Sequence, residues 1–384
     1  MSGLGSESPP FVLDLSENAI ELEVIKTISG ALNVNAPITS LILASNYIDA
    51  HCAEQLGEAL SLNTKLTHLN LSGNDLQDDG MKLIADALKG NSALVILHVG
   101  GNDLGPYSAG VLADVLKMNG TLTALGLEEN NIWDMGAEAI ASMLKMNMTL
   151  QYLNLSNNGI GFEGVSALAD ALRVNAALTY LSMVRNEITA AGALAFANTL
   201  KENARLEILD FAANCISNEG AAAIADALKV NVALTFLDLQ KNQIECTGAS
   251  KIADAMKVNT TLKRLDLGHN RIRGEGTCAL ANALMMNSVL TNLRLSNNWV
   301  RSTKAAMALA DVIKMNEVPI ILDRCLASIC VHLPATLATT ALRVVSLVLR
   351  AQEVLSFLNL KATRISGIGA TTICLLYTSP SPRD

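Results

Sequence analysis

The sequence predicts an α/β solenoid, a stack of repeats that each contain a short strand, a loop, a helix and a turn. Two observations carry this prediction: asparagines recur at a constant spacing of 28 residues, and the segments between them alternate between strand and helix periodicity. One such repeat cannot bury its own apolar face, so neighbouring repeats have to stack. Half of the 384 residues are hydrophobic and 17% are charged, which is enough for an extended core.

The first asparagine column marks the end of each predicted strand. In the segment LQYLNLSNN that starts at Leu150, Leu153 and Leu155 alternate as in a short strand with one buried face. The asparagine that follows carries two amide donors and an acceptor carbonyl, so we expect a buried ladder of hydrogen bonds between successive loops. The eleven residues of this ladder are Asn18, Asn46, Asn74, Asn102, Asn130, Asn158, Asn186, Asn214, Asn242, Asn270 and Asn298.

A helix is predicted after each loop. Val165, Leu168, Ala169 and Leu172 fall at i, i+3, i+4 and i+7, which forms one apolar stripe. A second asparagine column runs from Asn35 to Asn287 with the same period of 28 and then slips by one residue. We expect these asparagines to end the helices in the left-handed conformation, which suits asparagine as well as glycine.

The motif L-x-x-L-x-L-x-x-N, followed by a helix in every repeat, resembles leucine-rich repeats of the ribonuclease-inhibitor type. Repeats of this type occur in the C-terminal regions of NOD-like receptors and in Ran GTPase-activating proteins. The resemblance covers roughly residues 11–316 and part of 355–373. It implies a horseshoe-shaped solenoid, with a parallel β-sheet on the concave face and α-helices on the convex face.

The repeat pattern divides the chain into five segments. After the second column slips, the phase is lost, and the irregular stretch is either an insertion-bearing repeat or a part misread in the source sequence. The last eleven residues, CLLYTSPSPRD, resemble the translation of a sequencing-library adapter, so we expect them to be an artefact. The expected segments are a flexible N-terminal lead (1–10), eleven repeats (11–316), the irregular stretch (317–354), a truncated further repeat (355–373) and the artefact (374–384).

Motifs for catalysis or metal binding are weak. There is no phosphate-binding G-x-x-x-x-G-K-[ST] loop and no H-E-x-x-H zinc motif. Cys325, Cys330 and His332 lie close in sequence, but free thiols are the favoured interpretation; His68 and His98 are interpreted as ordinary exposed histidines. We therefore expect no enzymatic activity, no cofactor and no metal.

Charge and cysteine usage restrict the partners and the compartment. The net charge of −8 argues against nucleic acid or an anionic membrane as the main partner. Seven cysteines are scattered singly and the N-terminus shows no secretory signal, which predicts a cytoplasmic protein. A basic row is explained by helix dipoles and by aspartates three residues earlier, rather than by nucleic acid. It comprises Lys89, Lys117, Lys145, Arg173, Lys201, Lys229 and Lys257.

The candidate binding residues are strand and turn residues whose side chains point away from the core. In the second half of the chain they combine aromatic, acidic and basic side chains, the composition of interface hot spots. These residues are Tyr152, Tyr180, Arg185, Asp210, Phe236, Asp238, Lys241, Arg264, Asp266 and Arg294. The alternatives are the first half of the face, the lateral loops near Trp133 and Trp299, or a missing C-terminal part.

Three functions are open at this point. The favoured one is a non-catalytic scaffold that binds another protein on the concave face. The resemblance also allows a Ran-type GTPase-activating protein, for which a small GTPase would be the partner. The third is the repeat region of a larger NOD-like receptor.

Overall fold

The computed structural model describes residues 11–300, 302–315 and 321–322. Strands and helices alternate throughout, so the expected α/β solenoid of 28-residue repeats is confirmed. The elements are β1 (Phe11–Asp14), α1 (Leu22–Asn33), β2 (Ile38–Ile42), α2 (Ala50–Leu62), β3 (His68–Asn70), α3 (Gln77–Leu88), β4 (Ile96–His98), α4 (Pro106–Leu116), β5 (Ala124–Gly126), α5 (Trp133–Leu144), β6 (Tyr152–Asn154), α6 (Phe162–Leu172), β7 (Tyr180–Ser182), α7 (Ala190–Leu200), β8 (Ile208–Asp210), α8 (Ser217–Leu228), β9 (Phe236–Asp238), α9 (Cys246–Met256), β10 (Arg264–Asp266), α10 (Arg273–Leu284), β11 (Asn292–Arg294), α11 (Thr303–Met315) and β12 (Ile321–Leu322).

Several sequence-based expectations lie outside the described residues. They concern the lead 1–10, the truncated repeat 355–373, the adapter-like segment 374–384, and Cys325, Cys330 and His332. Of the irregular stretch 317–354, β12 is the described part.

The described chain divides into two compact units. Unit 1 holds residues 11–188 and 205–208, and unit 2 holds 189–204 and the described residues from 209 onward. In unit 1, β1 to β7 pair in parallel and in sequence order. In unit 2, β9 to β12 pair in the same way.

The sheet register follows directly from the repeat length. Tyr152 of β6 stands opposite Tyr180 of β7, and Asp238 of β9 stands opposite Asp266 of β10. Residues 28 apart are therefore neighbours across strands, and each repeat position forms a row along the sheet.

The core lies between the strands and the helices of each unit. Leu153 and Leu155 are fully buried, as are Val165 and Leu168 on the inner stripe of α6. The alternate residues of each strand and the inner stripe of each helix thus form one apolar layer, which the strands cover from one side and the helices from the other. No helix in the described ranges has the length and apolarity that crossing a lipid bilayer requires.

The first asparagine column forms hydrogen bonds between successive repeats. Asn102 is inaccessible to solvent, and its Nδ2 donates to the carbonyl oxygens of Leu71 (2.9 Å), Val99 (3.2 Å) and Gly100 (3.0 Å). Its own backbone N–H donates to Oδ1 of Asn130 in the next repeat, at 2.9 Å. Asn18 differs from the expectation of burial: it is exposed, because β1 is the first described strand and no described repeat covers it.

The second asparagine column corrects one expectation. Among its described members, Asn35 alone has a left-handed backbone, with φ of 52°. The others act through their side chains: Nδ2 of Asn147 donates to the carbonyl of Leu116 in α4, the helix of the preceding repeat (2.7 Å), and its Oδ1 accepts from the N–H of Leu150 (2.8 Å). These asparagines connect repeats rather than supply a special backbone conformation.

Candidate protein-binding surface

We call the outward side of each sheet the strand face, formed by the first and third residues of the three-residue strands. The middle residue of each strand points to the helices: Leu153 and Leu237 are fully buried, whereas Tyr152 and Phe236 are half-buried on the other side. The candidate residues fall into two groups, because Tyr152, Tyr180 and Arg185 belong to unit 1 and the other seven belong to unit 2.

In unit 1, the strand face carries a pair of stacked tyrosines. The ring centroids of Tyr152 and Tyr180 lie 4.2 Å apart, with the ring planes inclined by 15°. Burial, and then the neighbouring Tyr180 and Glu128, raise the pKa of the Tyr152 phenol. Its hydroxyl is therefore protonated at physiological pH. Arg185 is exposed in the turn after β7, at a left-handed position with φ of 53°.

In unit 2, three aspartates occupy the third position of consecutive strands. The backbone N–H two residues further along donates to each of them: Ala212 to Asp210 (3.0 Å), Gln240 to Asp238 (2.8 Å) and Gly268 to Asp266 (2.8 Å). This contact folds the carboxylates back onto their own turns. We define Asp210, Asp238 and Asp266 as the carboxylate row.

Two members of the carboxylate row are deeply buried although they lie on the strand face. Asp238 is 6% exposed and Asp266 is 4% exposed. Burial, and then the charges of Asp210 and Asp266, raise the pKa of Asp238 to about 7. Burial also raises the pKa of Asp210, followed by the charge of Asp266. The row therefore holds negative charge at a cost in free energy.

The basic side chains of unit 2 compensate part of this charge. A guanidinium nitrogen of Arg294 lies 3.4 Å from Oδ2 of Asp266, at one end of the row. The guanidinium of Arg264 lies 4.8 Å from the centroid of the Phe236 ring, in a cation–π contact. Lys241 is exposed in the turn after β9, at a left-handed position.

One contributor to this site was absent from the sequence-based prediction. Nε2 of Gln240 donates to Oδ2 of Asp238 at 3.3 Å, which adds to the bond from the Gln240 backbone. Its position two residues after the aspartate is the signal that could have identified it, because side-chain acceptors in such turns bond to residue i+2.

The histidines and the basic row have ordinary surroundings. His68 is exposed on β3 and His98 is half-buried on β4, and they do not stand opposite each other in the register. Within the described ranges, no three His, Cys, Asp or Glu side chains are arranged to hold a metal ion. In the basic row, Lys89, Lys117, Lys229 and Lys257 each lie 2.6–2.8 Å from an aspartate three residues earlier. These pairs largely cancel the field of the row.

Comparisons with known proteins were made for the sequence and for the fold. A family model described as Leucine Rich repeat matches residues 62–85, 147–169, 174–197, 202–225, 230–253 and 258–281. No curated protein matches the chain. Among solved structures, it is similar to actin-binding site 2 of leiomodin-1, with 24% identity and a TM-score of 0.34, over 38% of this chain and 86% of that one. It is also similar to an internalin from Listeria monocytogenes, with 17% identity and a TM-score of 0.42, over 79% of this chain and 94% of that one.

The match of the repeat model agrees with the strand, loop, helix and turn found in each repeat. The asparagine ladder and the register of 28 residues connect neighbouring repeats within each unit. Six of its repeats match the leucine-rich-repeat model, and the described residues have the fold of a leucine-rich-repeat solenoid.

Proposed function

We propose that this protein is a non-catalytic scaffold that captures another protein on its strand face. Leucine-rich repeats generally serve as protein-binding scaffolds, and repeat stacks offer extended surfaces for this purpose. The observation that carries the proposal is the carboxylate row of unit 2, whose charge the fold does not need.

Where the third strand position accepts a hydrogen bond from the turn, an amide oxygen is sufficient. In unit 1, Oδ1 of Asn70 accepts from the N–H of Ser72 (2.9 Å), and Oδ1 of Asn154 accepts from that of Ser156 (3.1 Å). In unit 2 the same position holds three carboxylates, and the pKa of Asp238 is raised to about 7 by burial and by its neighbours. Perturbed titratable groups that the fold does not require favour a functional role.

The surroundings of the row favour a protein partner. Phe236 and Arg264 form an aromatic–arginine pair next to it, and such pairs are enriched at binding hot spots. In unit 1 the stacked Tyr152 and Tyr180 provide a rigid aromatic surface with hydroxyl groups. Our proposed contact residues are therefore Tyr152, Tyr180 and Arg185 of unit 1, and Asp210, Phe236, Asp238, Lys241, Arg264, Asp266 and Arg294 of unit 2.

The test is the substitution Asp238→Asn, with Asp14→Asn as its matched control. Asparagine keeps the acceptor for the Gln240 N–H and removes the charge. Asp14 has the same repeat position and accepts from the Ser16 N–H at 3.0 Å, but it is exposed in β1. Partners are captured from cytosol of the source cells with each protein and quantified by mass spectrometry. We expect the Asp238→Asn protein to lose partners that the wild type and Asp14→Asn retain; equal capture by all three would contradict the assignment.

Separate observations and experiments address the narrower hypotheses. We infer the ribonuclease-inhibitor type from the period of 28 residues and from the full helix in each repeat. Cys52, Cys215, Cys246 and Cys278 are free thiols, which supports a reducing compartment such as the cytosol. Accelerated GTP hydrolysis by a Ran-type GTPase would replace the scaffold proposal with that of a GTPase activator. A native transcript that encodes a nucleotide-binding domain would favour the NOD-like receptor.

A further inference from the structure

A second surface of unit 1 exposes aromatic side chains where the loops lead into the helices. Tyr107 is 54% exposed, Trp133 is 56% exposed and Phe162 is 44% exposed, and Met135 beside them is 73% exposed. We call Tyr107, Trp133 and Phe162 the aromatic edge. Large apolar side chains that are exposed in one region often mark an interaction site.

The aromatic edge lies on three consecutive helices that pack closely. Tyr107, Trp133 and Phe162 are in the first turns of α4, α5 and α6. A Cβ atom at Gly136 would come within 2.9 Å of Cβ of Ala109, and one at Gly164 within 2.8 Å of Cβ of Ala137. These glycines allow neighbouring helices to approach, so the three aromatic residues lie at the starts of three closely packed helices.

The fold holds Trp133 in a defined position despite its exposure. Its backbone is left-handed, with φ of 51°, and its N–H donates to the carbonyl of Asn158 at 3.0 Å. The indole lies over Gly159, where a Cβ atom would be 2.7 Å from Cδ1 of the indole. An exposed tryptophan on such a support is an ordered contact surface.

The charge around the aromatic edge has one sign. The turns 101–107, 129–135 and 157–163 contain four acidic residues and no lysine, arginine or histidine. Asp134 has a structural role, since its Oδ1 accepts hydrogen bonds from the N–H groups of Gly161 and Gly164. Asp103, Glu129 and Glu163 are exposed, and within the described residues no ion pair involves them.

In unit 2, another exposed tryptophan, one residue after ladder residue Asn298, is in contact with a cation. The guanidinium of Arg271 lies 5.9 Å from the centroid of the Trp299 ring, and Trp299 is 59% exposed. Arginine is the favoured cation for such contacts, because its planar group stacks on the ring and still pairs with carboxylates. The turns around Trp133 contain no arginine that could fill this role.

We propose that the aromatic edge binds an arginine-rich segment of a partner protein. A guanidinium stacks on Trp133, and further arginines pair with Asp103, Glu129 and Glu163. The acidic surroundings disfavour nucleic acid and anionic lipid as occupants. This surface is separate from the strand face, so it goes beyond the scaffold site and does not depend on it.

The experiment uses Trp133 as its own reporter. The chain has two tryptophans, so the full chain with Trp299→Phe emits from Trp133 alone. The probe is the capped peptide Gly-Arg-Gly-Arg-Gly-Arg, and the control peptide carries citrulline, which has nearly the same shape without the charge, in place of arginine. Two variants in this background lose the same charge: Glu129→Gln with Glu163→Gln, and Glu54→Gln with Glu58→Gln on the exposed side of α2.

We expect the arginine peptide to change the Trp133 emission and the citrulline peptide to leave it unchanged. Removal of Glu129 and Glu163 should weaken peptide binding by about tenfold, and removal of Glu54 and Glu58 by less than about twofold. The proposal is overturned if the emission does not respond, if citrulline binds equally well, or if both double variants weaken binding to the same extent. The last result would show general attraction to an acidic chain.

Discussion

The carboxylate of Asp134 caps a helix that belongs to the next repeat. Its Oδ1 accepts from the N–H of Gly164 at 2.9 Å and from that of Gly161 at 2.8 Å, at the start of α6. Asn218 does the same for α9, where Oδ1 accepts from the N–H groups of Glu245 (2.9 Å) and Gly248 (3.0 Å). Neighbouring repeats are therefore joined at their helix starts as well as through the asparagine ladder.

We expect Asp134→Ala to lower the free energy of unfolding by about 1–2 kcal/mol, the usual effect of losing an N-cap. Two backbone N–H groups lose their acceptor, and a negative charge is lost at the positive end of the α6 dipole. Asp134→Asn keeps an acceptor and should lose less than half as much. Urea denaturation followed by circular dichroism provides the measurement, and an equal loss for both variants would contradict the capping role.

This cap could not be predicted from the sequence, because two loop forms share one period. The helix starts three residues after the ladder asparagine in α3, α5, α8 and α10, and four residues after it in α2, α4, α6, α7 and α9. In the shorter form the first helical residue is left-handed: Gln77, Trp133, Ser217 and Arg273. None of these is a glycine, so the residue types do not indicate which repeats have the shorter loop.

The ladder, in contrast, was predictable, because its chemistry needs one residue type at one spacing. Asn102→Ala should lower the free energy of unfolding by about 3 kcal/mol or more, since it leaves buried carbonyl and N–H groups of two repeats without partners. Asn18→Ala is the matched control, because Asn18 is exposed and its Nδ2 donates to Ser16 alone among the described residues. Its effect should be below about 1 kcal/mol; similar losses for both would contradict the ladder.

The pKa of Asp238 predicts how stability depends on pH. The folded state keeps this carboxyl protonated up to about pH 7, whereas the ordinary value is 3.8. Between these values the folded state binds more protons, so the free energy of unfolding falls as the pH rises from about 4 to about 7. Asp238→Asn lacks this loss and should be more stable than the wild type at pH 8, by roughly 2–4 kcal/mol.

Denaturation series at pH 4, 6 and 8 check this expectation. The gain in Asp238→Asn should shrink toward pH 4, where the wild-type carboxyl is protonated in the folded state. Asp14→Asn should show no such gain, because a hydrogen bond from Ser16 lowers the pKa of the exposed Asp14. A gain in Asp238→Asn that does not change with pH would show that the buried charge is not its origin.

Alternation along the strands predicted which residues lie on the strand face, but not how deeply they are buried. Arg264 and Asp266 flank the same buried leucine on β10, yet Arg264 is exposed and Asp266 is 4% exposed. The short aspartate side chain folds back to the N–H of Gly268, whereas the longer arginine side chain extends over the Phe236 ring. Side-chain reach and local hydrogen bonds, which alternation does not contain, decide the difference.

The left-handed residue before each ladder asparagine provides the last prediction. Ala213 has φ of 55°, a conformation that costs roughly 1 kcal/mol for a residue with a Cβ atom. Ala213→Gly relieves this cost and removes one methyl group at a half-buried position, so we expect the free energy of unfolding to rise by about 0.5 kcal/mol. The reverse change at the corresponding position of another repeat, Gly73→Ala, should lower it by about 1 kcal/mol, since Gly73 has φ of 68°. Opposite signs for the two substitutions in urea denaturation are the required result, and a loss of stability in both would show that packing of the turn outweighs its backbone conformation.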